Sequence, residues 1–235
     1  MKKQKFTSDQ HDKFKEYFNI KDTPWKWDGI YLEKTQKYIP YISWIPGIMM
    51  VGVWNSLSMN TGSKDSDIDL YIVTQNNAMW SVRILVTLIF QILWVRKTGS
   101  KHAGRFCLSF FSTLDGMDFA TFALPYDPYL YFWIVYFKPL YSKQDTYERF
   151  IKVNSAWADF WGYIDISSAI APVVSPSLTR NRLEGGINTF LKSIFLPKTK
   201  TSFQKLWKPF WVIISDNILK FHNNDIRKQI AKDIT

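Results

Sequence analysis

Asp67 and Asp69 are separated by one residue at the head of the run Ile68-Asp69-Leu70-Tyr71-Ile72-Val73, whose β-branched and aromatic content is that of a strand. Side chains two apart on a strand leave the same face, so the two carboxylates point together while Ile68 and Leu70 point away. Two carboxylates that close repel each other unless a positive charge lies between them. A pair of Mg2+ ions meets that need. Mg2+ takes a few carboxylates together with phosphate and water oxygens, and two such ions can clamp an in-line displacement at phosphorus. On its own, an Asp-x-Asp pair at an exposed strand end is more often plain solvated charge.

The residues upstream supply a second part. Met49 to Trp54 is an apolar run that predicts a buried strand. It ends in Asn55-Ser56, and a loop with Asn60, Thr61, Gly62 and Ser63 follows. A strand ending in small polar residues presents backbone N–H groups and a hydroxyl to a phosphate.

In this combination the chain resembles the nucleotidyltransferase superfamily typified by DNA polymerase β, in its small stand-alone prokaryotic form. That family's signature is an apolar residue, Gly-Ser or Gly-Gly, a spacer, and then Asp-apolar-Asp-apolar. The corresponding residues here are Trp54-Asn55-Ser56 and then Asp65-Ser66-Asp67-Ile68-Asp69-Leu70, with Asp67 twelve residues beyond Asn55 as in the family. Asn55 stands where the family has Gly; Asn tolerates positive φ better than other non-glycine residues, so the turn can survive.

The resemblance implies an α/β fold: a small mixed β-sheet of the polymerase-β-like palm with helices on one face, followed by a C-terminal helical extension. It implies two Mg2+ ions on Asp67 and Asp69, and an NTP whose β and γ phosphates rest on Ser56 and the backbone around Asn55. The reaction implied is transfer of a nucleoside monophosphate to a hydroxyl of RNA, protein or a small molecule, with release of pyrophosphate. A third carboxylate belongs on a later strand in this family. The matching stretch, Arg105 to Ser112, carries none; alternation puts Cys107 and Ser109 on one face and Phe106, Leu108 and Phe110 on the other. Asp115 and Asp118 follow as candidates to substitute from a turn. Without a third acid the attacking hydroxyl lacks a base, and general-base catalysis is worth about 10²–10⁴-fold. The missing acid and Asn55 support the alternative, a catalytically degenerate member that binds nucleotide or RNA.

The surrounding elements must hold these residues in place. Residues 8–18 and Gly29 to Tyr38 predict helices, with a loop from Lys21 to Asp28 between them. Met79 to Val95 predicts an apolar helix, capped near Gln75-Asn76-Asn77. Its uncharged core, Ile84 to Val95, is twelve residues, against the roughly 20 that a membrane span needs, so it is expected to cross one face of the sheet. Arg83, in its first turns, is either within reach of a triphosphate or solvated or salt-bridged. Tyr129 to Phe137 predicts a helix ended by Lys138-Pro139. Helices are also expected over Asp145 to Tyr163 and Leu183 to Phe195, with a linker or loop over Ile164 to Pro176.

Composition bounds the class. With 235 residues, 46% of them hydrophobic, the chain can build a sizeable core. We divide it into a nucleotidyltransferase-like domain over 25–141 and a basic, aromatic-rich extension over 142–235. The single Cys107 excludes an internal disulfide framework and a cysteine-rich zinc site, which fits a cytoplasmic protein. The N-terminus is basic but no apolar segment follows it, so it does not read as a secretory signal. Net charge is +10, and residues 176–235 hold 11 Lys+Arg against 4 Asp+Glu. There Lys192, Lys198, Lys200, Lys205 and Lys208 fall among Phe195, Trp207, Phe210 and Trp211, a pattern that suits RNA or another polyanion, or an anionic lipid surface. The same pattern also describes a tail that packs its aromatics while its Lys stems reach out.

Overall fold

The structure is a computed structural model, and it describes residues 3–99, 101–160, 163–164, 183–204, 211–222 and 225–235. The stretch expected as a linker beyond Ile164, together with Lys205, Trp207, Lys208 and Phe210, lies outside the described residues.

In chain order the elements are α1 (Ser8–Phe18), α2 (Lys26–Tyr38), α3 (Pro40–Ser43), β1 (Ile48–Trp54), α4 (Asn55–Ser58), β2 (Ile68–Thr74), α5 (Met79–Ile92), β3 (Phe106–Thr113), α6 (Pro128–Val135), β4 (Lys138–Ser142), α7 (Thr146–Asn154), α8 (Leu183–Gln204), β5 (Trp211–Ile214), β6 (Ile218–His222) and α9 (Arg227–Ile234). The six strands form one sheet in the order β4-β1-β2-β3-β6-β5. Only β2 and β3 pair in parallel; the other four pairings are antiparallel. A parallel pair needs a crossover, and α5 provides it.

Alternation along β2 sorts its side chains onto two faces. Ile68, Leu70 and Ile72 join a core with Val82, Val86 and Phe90 of α5, while Tyr71 and Val73 join a second core with Leu130 to Ile134 of α6 and Phe150 of α7. Helices therefore cover both faces of the sheet, not the single face expected. The reason is compositional: nearly every residue of β1 and β2 is apolar and buried, so each face needs a cover. Gly52 lets the α6 side close in, because a Cβ there would lie 2.2 Å from Phe137 Cζ.

The C-terminal region is not purely helical. Trp211-Val212-Ile213-Ile214 and Ile218-Leu219-Lys220-Phe221-His222 form a hairpin around Ser215-Asp216-Asn217, and β6 pairs with β3, completing the same sheet. The α6 helix starts on Pro128, with the buried Asp127 side chain accepting from Leu130 N at 3.0 Å. Arg227 of α9 reaches back to Asp127 at 3.2 Å, which ties the C-terminal helix to this face.

Candidate metal and nucleotide site

The parallel crossover decides what meets Asp69. Asp69 is in register with Trp54 on β1 and with Cys107 on β3. Asp67, Asp69 and Cys107 are all half-buried, and one ligand atom from each lies within 4.8 Å of the others. The two acids converge as their spacing predicts. The third position is filled by a thiol, not a carboxylate.

A bulge in β3 corrects the face assignment there. The register shifts between the Asp69–Cys107 and Tyr71–Phe110 pairs, so Phe110 joins Tyr71 in the α6-side core, with ring centroids 4.5 Å apart, while Phe106 and Phe111 belong to the α5 side. The turn beyond β3 brings no acid back. Asp115 accepts from Asn76 Nδ2 at 2.7 Å, which ties it to the turn after β2, and Asp118 accepts from Ala120 N at 2.9 Å, closing a local turn.

Lys97 was not foreseen. Its Nζ lies 2.6 Å from Asp67 Oδ2. The segment after α5 runs beside the start of β3, with Lys97 N donating to Phe106 O at 2.9 Å and Phe106 N to Val95 O at 2.9 Å. A crossover helix must return to the end of the sheet where the next parallel strand begins, and the acids stand at that same end of β2. The basic pair Arg96-Lys97 right after the helix was the available signal.

Asn55 adopts φ 58°, as its residue type allows, and heads the short helix α4. Its Nδ2 donates to Asp69 Oδ2 at 2.7 Å, so the residue at this turn also orients one of the acids. Ser56 follows, half-buried, with its carbonyl accepting from Thr61 N at 2.9 Å. The loop after it is held from below by Asp28, which is fully buried and accepts from Gly62 N at 2.8 Å. Asn60 receives Lys138 Nζ at 2.6 Å.

The charges are strained where the acids meet. Burial first, and then the Asp67 charge, push the Asp69 carboxyl up to about 6, against hydrogen bonds from Asn55 and Cys107 and the charge of Lys97. Burial, then Asp69, pushes the Cys107 thiol well up, so it stays neutral. Burial is the largest single effect on the Lys97 ammonium and works against it, but the hydrogen bond to Asp67 and the charges of Asp67 and Asp69 act together and its pKa is raised.

Two expectations end elsewhere. Arg83 lies on the α5 side of the sheet, its guanidinium 4.5 Å from the Phe221 ring and 5.6 Å from that of Phe111, so it stacks on aromatics across the sheet from Asp69. Trp211 is buried and stacked on Trp133 at 5.2 Å, so it packs on the domain and is not available to a base. No helix among the described residues is long and apolar enough to cross a membrane. No protein-family model, no curated protein and no solved structure matches the chain.

Proposed function

We propose that the Asp67–Asp69 cleft binds a Mg2+–NTP complex and transfers a nucleoside monophosphate to a hydroxyl acceptor, with loss of pyrophosphate. The observation that supports this reading most is the half-buried acid pair itself: ligand atoms of Asp67, Asp69 and Cys107 lie within 4.8 Å of one another, and burial, then the Asp67 charge, push the Asp69 carboxyl up to about 6. The donor set fits Mg2+ in its two carboxylates. It does not offer a third hard ligand, because Cys107 is a neutral thiol and Mg2+ takes oxygen. Asp67 and Asp69 would hold the ion, which supplies charge neutralisation for phosphate oxygens.

The chain's own residues set up the rest. Asn55 orients Asp69, and the backbone that turns at Asn55 and Ser56 is the surface on which this reading places the β and γ phosphates. Lys97 adds a positive charge beside the pair. Positioning and charge neutralisation do most of the work in phosphoryl transfer, and this site is built for those two tasks. The resemblance in the residues of β1 and β2 supports the polymerase-β-like palm as the finer fold reading.

The second reading is a degenerate nucleotidyltransferase-fold protein that binds nucleotide or RNA. Two observations favour it: a thiol stands in the third-carboxylate position, and Lys97 already occupies Asp67. Incubation with each labelled NTP, Mg2+ and a mixed pool of RNA and protein acceptors separates the two. Label transfer that disappears in Asp67→Asn and in Asp69→Asn supports the enzyme. Transfer that persists in both overturns the site. Nucleotide or RNA binding with no transfer selects the second reading.

A further inference from the structure

Large apolar side chains face water along two neighbouring helices. On α5 these are Leu85, Leu88 and Ile92; on α8 they are Ile187, Phe190 and Ile194, of which the least exposed, Ile194, still leaves 38% to solvent. Each triplet has i, i+3, i+7 spacing, which gathers it into one stripe. The helices lie side by side and run the same way: Asn188 accepts from Trp80 N at 2.8 Å, and seven or more residues later Phe195 and Thr199 line one cavity with Thr87 and Gln91. Trp94 extends this surface at the end of α5. It is 76% exposed and sits at φ 56°, a backbone conformation that bulky residues rarely take. Arg105 Nη1 donates to its carbonyl and helps hold the turn. Exposed apolar side chains gathered on two packed helices and the adjoining turn mark an interaction face.

On the α5 side the charges beside it have one sign; on α8, Lys192 pairs with Asp216. Residues 79–105 contain Arg83, Arg96, Lys97, Lys101 and Arg105 and no Asp or Glu; Lys97 is committed to Asp67. Two cavities open next to the stripes and share Gln91 and Arg96. One, of about 340 Å³, is lined by Trp80, Arg83 and Arg96, and the buried Trp80 Nε1 and Arg83 Nη1 have no hydrogen-bond partner among the described residues. The other, of about 310 Å³, is lined by Trp94, Arg96, Lys101 and Arg105. Buried donors without acceptors, and cations without acids, suit anionic oxygens.

We propose that α5, α8 and the Trp94 turn form a docking face for the surface of an anionic phospholipid bilayer. Headgroup phosphates enter the two basic cavities, and the two stripes and the Trp94 indole settle at the boundary between headgroups and acyl chains. A second copy of the chain is a poorer occupant, because a face meeting itself would set these cations against each other.

The test uses the full chain and vesicles of phosphatidylcholine alone or mixed with an equal amount of phosphatidylglycerol. Sedimentation with the mixed vesicles should exceed that with phosphatidylcholine by about ten-fold or more and fall with salt, since each Lys or Arg near an anionic surface contributes about five-fold. Tryptophan emission should shift to the blue on binding, and less so in Trp94→Ala. Leu88→Glu combined with Phe190→Glu should abolish sedimentation, and Arg96→Ala should lower it about five-fold. Near-ultraviolet circular dichroism checks that the variants remain folded; Trp94→Ala, a change at an exposed turn, keeps the test decisive if the double variant does not. Equal binding to both vesicle types, or none, overturns the proposal. So does a concentration-dependent dimer that the double variant dissolves, or retention of an RNA oligonucleotide in place of vesicles.

Discussion

Lys97 Nζ lies 2.6 Å from Asp67 Oδ2, which ties the segment leaving the crossover helix to the entry of the strand that carries both acids. The pair is partly exposed, with side chains 39% and 22% accessible, so its contribution to stability is modest. Its effect on the site is larger, because a divalent ion on the acids would share them with an ammonium already in place.

Removing that charge should therefore strengthen cation binding. We expect Lys97→Met to bind Mn2+ about ten-fold more tightly than the unaltered protein in the absence of nucleotide, because a unit charge a few ångströms from the ion no longer opposes it. Calorimetric titration reads this directly. The loss of folding stability should stay below about 1 kcal/mol, as for other exposed pairs. An unchanged affinity would mean that the ion is not held at Asp67.

Cys107 is in register with Asp69 across the parallel pair, and its thiol lies beside both acids. Cys107→Asp should destabilise the metal-free protein by about 2–4 kcal/mol, because three half-buried carboxylates repel one another. Millimolar Mn2+ should restore much of that loss, as any ligand specific to the folded state does. Cys107→Ser should do neither. Urea midpoints with and without a chelator decide the matter: a Cys107→Asp midpoint indifferent to Mn2+ rules out a shared cation site.

Much of this was readable from the residues, and the failures have causes. The strand at Ile68, the helix at Met79 and the turn at Asn55 follow from local composition, and each lies within a few residues of its expected bounds. The convergence of Asp67 and Asp69 follows from the strand period alone. The face reversal at Phe110 did not, because a bulge depends on how β2 and β3 fit together and leaves no mark in the local pattern. Lys138 to Ser142 joins the sheet as β4 although Pro139 argues against a strand; it is an edge strand, where a missing N–H is tolerated. The β5–β6 hairpin had a visible signal in two short runs rich in β-branched and aromatic residues around Ser215-Asp216-Asn217, masked by the basic, aromatic character of the region. Lys97 was hidden for a different reason: only the topology brings it to the acids.

The Asp69 carboxyl gives the metal-free protein a pH signature. Its folded-state pKa, about 6, lies above the usual aspartate value, and burial is the first cause. The folded state thus holds a proton that the unfolded state has released. That contribution is fully present below the unfolded value near 4 and is lost as pH rises through about 6. In the presence of a chelator, stability should fall between pH 4 and 6 by more in the unaltered protein than in Asp69→Asn. Denaturant midpoints across that range, compared between the two proteins, measure the difference. Parallel curves would show that Asp69 titrates normally.

Lys220 is fully buried on the α6 side, its Nζ 3.1 Å from the Trp211 ring centroid and 5.2 Å from that of Trp133, with no hydrogen-bond partner among the described residues. Two effects compete there. Stacking on Trp211 is worth about 2 kcal/mol for a desolvated cation, while burying the ammonium costs several. Burial wins, and it drives the Lys220 pKa well down, with Arg227 adding to it. Lys220→Met keeps the volume and removes the charge, so it should stabilise the protein by about 1–3 kcal/mol at pH 7. Because the folded-state pKa is depressed, the penalty carried by the unaltered protein is lifted as pH rises from that value toward the ordinary lysine range near 10. The advantage of Lys220→Met should accordingly shrink between pH 7 and 10. Urea midpoints at several pH values test both parts, and a variant less stable than the unaltered protein at pH 7 would show that stacking outweighs desolvation.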